Sequence, residues 1–349
     1  MTLNSKQWIK RLFLTSLIVV VLPVSAIMGF NYYIDPLWNF DHKNKYNDYQ
    51  IGFDERQQKT NYINSRRNFE YDSLMIGTSR VTYMDQHKFK DGKAFNYSLS
   101  SLHIDEYLPY INYATKKNRK DFNTIYMELY VNSYDSTVIN TNRSPSTYFQ
   151  KSEEPFYRIT SLFSKGTFDS SVENYKISKA NFYTGPRSYN RENVGMTTYP
   201  NDRLEPLWDR FKASFEATAS RPFTYDDDYK QKLLAIRKAY PNTRFVVFTD
   251  PIPAKRFDLI INNKDQRNAY ERWYKDMVEV FGEVYSFQGH TPITTNMNNY
   301  FDWFHYYPTV GDHMIAALQN PQGNKDILTV VNSKNLNKYL HSIYKKRDS

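Results

Sequence analysis

The stretch DSLMIGTSR, residues 72–80, decides how the rest of the chain is interpreted. Residues 73–76 form a short apolar run between polar neighbours, which is typical of a buried strand in a parallel sheet. Gly77 follows the run and permits a sharp turn of the backbone. We therefore expect the hydroxyl of Ser79 at the edge of the sheet where α/β proteins place their reactive groups. The alternative interpretation is that Ser79 only caps the following helix.

Further strands and helices are predicted to alternate along the chain. Apolar and β-branched runs predict the strands, and apolar residues at helical spacing predict the helices. The predicted strands are 93–100 with its loop, 124–131, 244–249 and 284–287, and the predicted helices are 104–117, 226–240, 264–281 and a last one beginning at 312. Such alternation predicts an α/β fold with a central parallel sheet covered by helices.

Residues 133–225 interrupt this alternation. They are rich in Ser, Tyr, Asn and Pro and contain no long apolar run. We therefore interpret them as an insertion without regular structure. Long irregular segments are usually functional, so a substrate-facing lid or subdomain is one interpretation. A surface excursion without a role is the other.

The N-terminal region contains an apolar run at residues 12–30, close to the length that crosses a bilayer. Lys6, Lys10 and Arg11 precede it, which predicts a cytoplasmic N-terminus and an extracytoplasmic remainder. We interpret the run as an uncleaved anchor because it continues past a possible cleavage site and is long for the apolar region of a signal peptide. The alternative is cleavage near Val24-Ser25-Ala26, which resembles a signal-peptidase site.

This interpretation sets the order of segments in the chain. Residues 1–11 are the cytoplasmic N-terminus, 12–30 the transmembrane anchor and 31–70 a juxtamembrane connector. Residues 71–345 are the extracytoplasmic domain, including the insertion at 133–225. The predicted localisation is therefore the cell membrane, with a single pass and the lipid bilayer as one partner.

Composition narrows the chemistry. The 349 residues include no cysteine, which excludes disulfides, thiolate nucleophiles and cysteine-ligated zinc. The net charge of +9 suits an anionic partner. No nucleic-acid motif accompanies the charge, and the predicted topology places the domain away from nucleic acid, so a nucleic-acid partner is not expected.

Asp302 and His305 lie in the stretch FDWFHYYP, residues 301–308. In one turn of helix-like backbone, their spacing places both side chains on the same side. The carboxylate then accepts a hydrogen bond from one imidazole nitrogen and leaves the other as a base. Such a base activates a serine hydroxyl, so Ser79, His305 and Asp302 match the template for acyl transfer.

With these motifs the chain resembles the SGNH (GDSL-like) hydrolase superfamily. The turn Gly77-Thr78-Ser79-Arg80 is similar to the first family block, and the segment 302–306 is similar to the last. The resemblance implies a flavodoxin-like three-layer α/β/α domain and catalytic roles for Ser79, Asp302 and His305. It implies neither a metal nor an organic cofactor.

The resemblance also implies groups that bind the oxyanion. The family has a glycine after the second strand and an asparagine after the third. Here the first loop contains Ser98 and Ser100 without a glycine, so a backbone N–H near these serines is the expected donor. Asn132 stands at the matching distance after the third strand, where the alternative is a turn residue that ends the strand.

The family's membrane-anchored bacterial members act in envelope acyl transfer. By resemblance, the expected function is acyl transfer or ester hydrolysis on a cell-envelope polysaccharide or teichoic acid, of the O-acetylation or D-alanylation type. A multispanning membrane acyltransferase is an expected further partner. The alternative is a catalytically inactive SGNH-like domain that binds envelope polymer or scaffolds such an acyltransferase.

Overall fold

The computed structural model describes residues 4–345 except 53, 203 and 222. The first three residues of the predicted cytoplasmic segment 1–11 therefore lie outside the described residues. The described chain forms two compact units. The first comprises the chain up to Arg67 with Tyr148–Tyr183 and Arg187–Glu192, and the second comprises Asn68–Thr147, Thr184–Pro186 and the chain from Asn193 onward.

The structure is mixed α/β. Its strands are β1 Ser73–Ile76, β2 Ala94–Asn96, β3 Thr124–Glu128, β4 Ser188–Tyr189, β5 Gly195–Met196, β6 Arg244–Thr249, β7 Glu283–Ser286 and β8 Thr329–Asn332. Its α-helices are α1 Ser5–Ser16, α2 Leu22–Ile34, α3 Glu55–Ser65, α4 Ile104–Asn118, α5 Pro145–Glu153, α6 Tyr157–Thr160, α7 Lys165–Ala180, α8 Trp208–Ser220, α9 Tyr229–Ala239, α10 Ala254–Asn262, α11 Lys264–Phe281, α12 Pro308–Gln319 and α13 Leu336–Lys345.

The second unit is built on a six-stranded sheet in the order β2-β1-β3-β6-β7-β8. The pairs from β2 to β7 are parallel, which confirms the predicted central parallel sheet for these five strands. The sixth strand, β8, was not predicted, and it pairs antiparallel with β7. The chain passes from β1 to one neighbour, β2, and then to the opposite neighbour, β3. Such a reversal opens a crevice at the carboxyl ends of β1 and β3.

Apolar side chains explain why these strands form. Every residue of β1 is buried, as is every residue of β6 after Arg244. Met75 and Phe248 belong to one hydrophobic cluster with Val310 and Met314 of α12, so α12 packs on that face of the sheet. The cluster fixes the carboxyl end of β1 relative to the segment that precedes α12.

Gly311 permits α12 to approach the chain that follows β1. A Cβ on Gly311 would lie against the carbonyl of Tyr83 and 3.0 Å from Cα of Met84. Backbone atoms do not yield as a flexible side chain does, so only glycine allows this contact. The helix that follows His305 is thereby held against the turn that follows Ser79.

Residues 133–225 do not match their prediction. They contain α5, α6, α7 and α8, so the expected absence of regular structure is wrong. The reason is visible in α7, whose buried residues Thr167, Ser171, Asn174 and Ser178 recur at helical spacing but are polar. A search for apolar periodicity does not detect such a helix.

The first unit contains the candidate membrane span. Residues Ser5–Ile34 form a continuous helical segment of 30 residues, and its most apolar window has a mean hydropathy of 2.4 with no part buried. The segment is long and apolar enough to cross a membrane. A signal sequence near an N-terminus meets the same criterion. Its middle, Leu17–Val21, is π-helical.

Polar side chains hold the first unit together. Arg191 and Asp35 form a buried ion pair at 2.8 Å, and Arg191 also donates to the Phe40 carbonyl. Asn31 of α2 donates to the carbonyl of Leu162. This unit therefore combines part of the predicted connector with part of the predicted insertion through hydrogen bonds between residues far apart in the sequence.

Candidate active site

The turn after β1 carries Ser79. Residues 77–80 leave the carboxyl end of β1, and Thr78 accepts a turn hydrogen bond from the N–H of Val81. A Cβ on Gly77 would lie 2.6 Å from both Glu128 Oε2 and Val81 Cγ2. Glycine is thus required here for close approach, and it brings the turn directly over the end of β3.

His305 and Asp302 lie in a short loop before α12. Tyr300 and Tyr306 form an antiparallel bridge, and the N–H of Phe301 donates to the His305 carbonyl at 3.2 Å. Residues 301–304, between the two bridged tyrosines, form a bend rather than a turn of helix, so the expectation of one helix-like turn is wrong. The bend nevertheless places Asp302 and His305 on the same side.

Asp302 orients the loop and the imidazole. Its Oδ1 accepts the N–H groups of Phe304 and His305, each at 2.7 Å. Oδ2 lies 2.9 Å from Nδ1 of His305. Burial alone would raise the pKa of Asp302, but the hydrogen bond and charge of His305 and the two N–H groups lower the pKa below its ordinary value of 3.8. Asp302 is therefore ionised at neutral pH.

His305 joins the two segments. Its Nε2 lies 2.7 Å from Oγ of Ser79, a residue 226 positions earlier. Its ring stacks on Phe301 with centroids 5.7 Å apart and an interplanar angle of 6°. With Nδ1 directed at Asp302, the ring presents Nε2 to the serine. The structure thus brings Ser79, His305 and Asp302 together in one hydrogen-bonded chain.

A buried carboxylate supports the turn that carries Ser79. Glu128, at the end of β3, is fully buried and accepts the N–H and the hydroxyl of Thr78. It also lies 3.1 Å from Nε of Arg80. Burial raises the pKa of Glu128 despite the opposing charge of Arg80, and neighbouring Asp250 adds to the rise.

Asp250 is the second carboxylate beneath the turn. It follows β6, is buried, and places Oδ2 3.3 Å from Nε of Arg80. Burial alone would lower the pKa of Arg80, but Asp250 and Glu128 raise it, so the guanidinium stays charged. The residues on both sides of Ser79, Thr78 and Arg80, are therefore fixed by buried acids.

We predict that Glu128→Ala lowers the free energy of unfolding by about 3–5 kcal/mol, because it leaves the Thr78 N–H unpaired and removes one partner of a buried ion pair. Glu128→Gln retains an acceptor for Thr78 and should cost less. Urea denaturation measures both. The exposed Glu70 provides a control, since Glu70→Ala should change stability by less than about 0.5 kcal/mol. Equal effects at the two positions would contradict this role.

A cavity of about 360 Å³ opens beside Ser79. Its lining includes Ser79 and His305 with the nearby Arg80 and Tyr130. The segment 138–142 forms another wall, and Asn142 is tied there by hydrogen bonds to the Ser101 carbonyl and to Glu106. The volume lies in the range of small-ligand sites.

The residues expected to bind an oxyanion, Ser98, Ser100 and Asn132, do not line the cavity beside Ser79 and His305. Ser98 is buried, and its N–H donates to Oδ1 of Asn96 at 3.0 Å, so this N–H is engaged within its own loop. Ser100 is half-buried, and Ser101 rather than Ser100 lines the cavity. Asn132 adopts a positive φ of 74° in the turn after β3 and is not a lining residue.

Reasoning from the sequence missed Arg80, Glu128 and Asp250. Glu128 stands in a strand of otherwise apolar residues, a position where a carboxylate needs an internal partner. This position of Glu128 was the one feature of the sequence that indicated a buried ion pair. The partner is the arginine directly after Ser79, which the sequence analysis named in the turn without assigning it a role.

Within the described ranges, no group of three or more histidine, aspartate or glutamate side chains is arranged to hold a metal ion. No family model matches the chain, and comparison with curated proteins and with solved structures finds no match.

Proposed function

We propose that this protein is an extracytoplasmic, serine-dependent enzyme of the SGNH type that transfers or hydrolyses an acyl group. The observation that carries the proposal is the chain of hydrogen bonds from Ser79 Oγ through His305 to Asp302. A serine hydroxyl becomes a nucleophile when a base removes its proton in the attack. His305 is such a base, held by an ionised carboxylate.

The first half-reaction follows from this geometry. Oγ of Ser79 attacks the acyl carbonyl while Nε2 of His305 takes the hydroxyl proton. Asp302 stabilises the imidazolium through Nδ1. The tetrahedral intermediate collapses, His305 returns the proton to the leaving oxygen, and an acyl-serine remains. The N–H of Ser79 donates to no acceptor among the described residues, so it is available to the oxyanion.

The second half-reaction reverses the roles. His305 deprotonates an acceptor hydroxyl or water, which attacks the acyl-serine. The bond between the acyl carbon and Oγ then breaks, the acyl group leaves on the acceptor, and His305 returns the proton to Oγ of Ser79. Water gives hydrolysis and a sugar or polyol hydroxyl gives transfer. Both outcomes share one intermediate, so the acceptor that enters the cavity decides between them.

The strand order supports the proposed fold family. Counting only the strands of the large sheet, the first five follow the order 2-1-3-4-5 of flavodoxin-like folds. Ser79 follows the first of these strands, beside the crevice where this topology reverses. We propose that the second unit is an SGNH-like α/β/α domain.

The proposed setting is the cell envelope. The apolar N-terminal helix supports membrane attachment, and the net charge of +9 favours an anionic polymer such as a polysaccharide or teichoic acid. In this proposal the helix is an anchor and the second unit lies outside the cytoplasm. A multispanning membrane acyltransferase would supply the acyl group on that side of the membrane.

The full-length protein in detergent tests the proposal with 4-nitrophenyl acetate. We expect a burst of about one nitrophenolate per active site, followed by slower turnover. Adding a polyol acceptor should accelerate the second phase and produce acetylated polyol. Hydrolysis no faster than in buffer alone would contradict an acyl-serine mechanism.

The geometry around Ser98 and Asn132 favours one alternative. The engaged N–H of Ser98 and the position of Asn132 outside the cavity lining leave fewer oxyanion donors than the family pattern implies. A domain that binds envelope polymer or scaffolds an acyltransferase without catalysis would tolerate this loss. Polymer binding without ester turnover would support the alternative.

A further inference from the structure

Arg80 is held along one edge of its guanidinium. Nε lies 3.1 Å from Glu128 and 3.3 Å from Asp250, and both carboxylates are buried. The central carbon of the guanidinium lies 5.3 Å from the ring centroid of Tyr130. Two carboxylates and an aromatic ring therefore fix the plane in which the guanidinium lies.

The opposite edge of Arg80 is available for binding. An arginine carries five N–H donors, of which Nε uses one here. Nη1 and Nη2 donate to no acceptor in the described part of the chain. Neither nitrogen is among the buried polar atoms that lack a hydrogen-bond partner, so both retain some contact with solvent. Arg80 lines the cavity beside Ser79 and His305. Two adjacent Nη groups in a fixed plane match the two oxygens of a carboxylate or phosphate.

The cavity favours an anion at this edge. The residues that line it, all of them described, include no aspartate or glutamate. Arg80 is the one lining residue that carries a permanent positive charge, and its side chain is 12% exposed. Glu128 and Asp250 offset part of this charge at the Nε edge, while low exposure to water strengthens the interaction of the Nη edge with an anion.

We infer that Arg80 binds an anionic oxygen group, a carboxylate or a phosphate, on the substrate whose ester Ser79 attacks. This inference rests on the proposed function and adds the substrate class. The buried acids hold the Nε edge, and the Nη edge pairs with the anion. The paired oxygen group then lies within the same cavity as the reacting carbonyl.

Two matched acetate esters test this inference. 4-Acetoxybenzoate carries a carboxylate, and 4-acetoxybenzamide replaces the carboxylate with a neutral amide. The measured quantity is the ratio of their kcat/KM values, each corrected for the rate of hydroxide-catalysed hydrolysis. A ratio taken within one protein cancels any general loss of activity. We expect the full-length wild type to favour the anionic ester by about 10-fold or more.

Variants assign the preference to Arg80. Arg80→Gln should bring the ratio close to one. Arg80→Lys should keep part of the preference, because lysine retains the positive charge but lacks the two adjacent Nη donors. Arg143→Gln is the matched control, since Arg143 is exposed and adjoins the lining residue Asn142 but does not line the cavity. It should keep the wild-type ratio. If Arg80→Gln fails to fold, the wild-type ratio and its decrease in Arg80→Lys provide the test.

The outcomes separate this inference from the proposed function. Turnover of both esters at equal corrected rates by the wild type would overturn the inference and leave the acyl-serine mechanism standing. A kcat/KM ratio that stays at the wild-type value in Arg80→Gln or in Arg80→Lys would also overturn it. Turnover of neither ester above the rate in buffer would overturn the proposed function, and the inference with it.

Discussion

Replacing Ser79 with alanine is expected to lower kcat for ester turnover by at least about 10⁴-fold. The change removes the only atom that forms the covalent bond, while His305 and Asp302 stay in place. Binding of substrate and the remaining oxyanion donors account for whatever activity persists. Stopped-flow and steady-state assays with 4-nitrophenyl acetate measure both the burst and the turnover.

Stability should change little in the Ser79→Ala variant. The substitution removes one hydrogen bond, that with His305, which is worth about 0.5–1.5 kcal/mol. Loss of activity with an intact unfolding transition would thus locate the effect in the chemistry. Ser214→Ala is the matched control, because Ser214 is exposed on α8. A burst that persists in Ser79→Ala would refute the assignment.

Replacing Asp302 with asparagine should lower kcat by about 10³–10⁴-fold. Asparagine preserves the shape of the side chain and can still accept the N–H groups of Phe304 and His305. It lacks the negative charge that fixes the proton on Nδ1 and stabilises the imidazolium. Nε2 then no longer reliably faces Ser79 as an acceptor. KM should change far less than kcat, because Asp302 does not line the cavity around Ser79.

Stability against pH provides a second signature of Asp302. Its pKa is lower in the folded protein than the ordinary 3.8, so the folded state binds fewer protons than the unfolded chain. The carboxylate stabilises the fold fully above pH 3.8, and this contribution is lost as the pH falls through the folded pKa. The stability difference between wild type and Asp302→Asn should therefore shrink in acid. A difference independent of pH would contradict an ionised Asp302.

The parallel strands could be predicted because strands that are buried on both faces consist of consecutive apolar residues, which are visible in the sequence. The predicted bounds of the strand at 244–249 and of the helix at 264–281 match β6 and α11. Strand β8 was missed although residues 327–331 form a short apolar and β-branched run; it is an edge strand, and its Thr329 is exposed. Helix α7 was missed because its buried positions are polar.

The candidate site was predictable where chemistry limits the choice of residue. A serine after a strand and an Asp-x-x-His pair are few enough in one chain to be singled out. The turn's supports were not predictable, because Glu128, Asp250 and Arg80 meet only once β1, β3 and β6 are adjacent. The division into two units was also hidden, since it depends on polar contacts such as that between Asp35 and Arg191.

The central claim is that His305 and Asp302 make Ser79 a nucleophile. Reaction of the full-length protein with a fluorophosphonate tests it directly, because such reagents form a covalent bond with a base-activated serine. Peptide mass spectrometry should find one phosphonyl group, located on Ser79, and His305→Gln should abolish it. An unmodified Ser79, or labelling at another serine instead, would contradict the account.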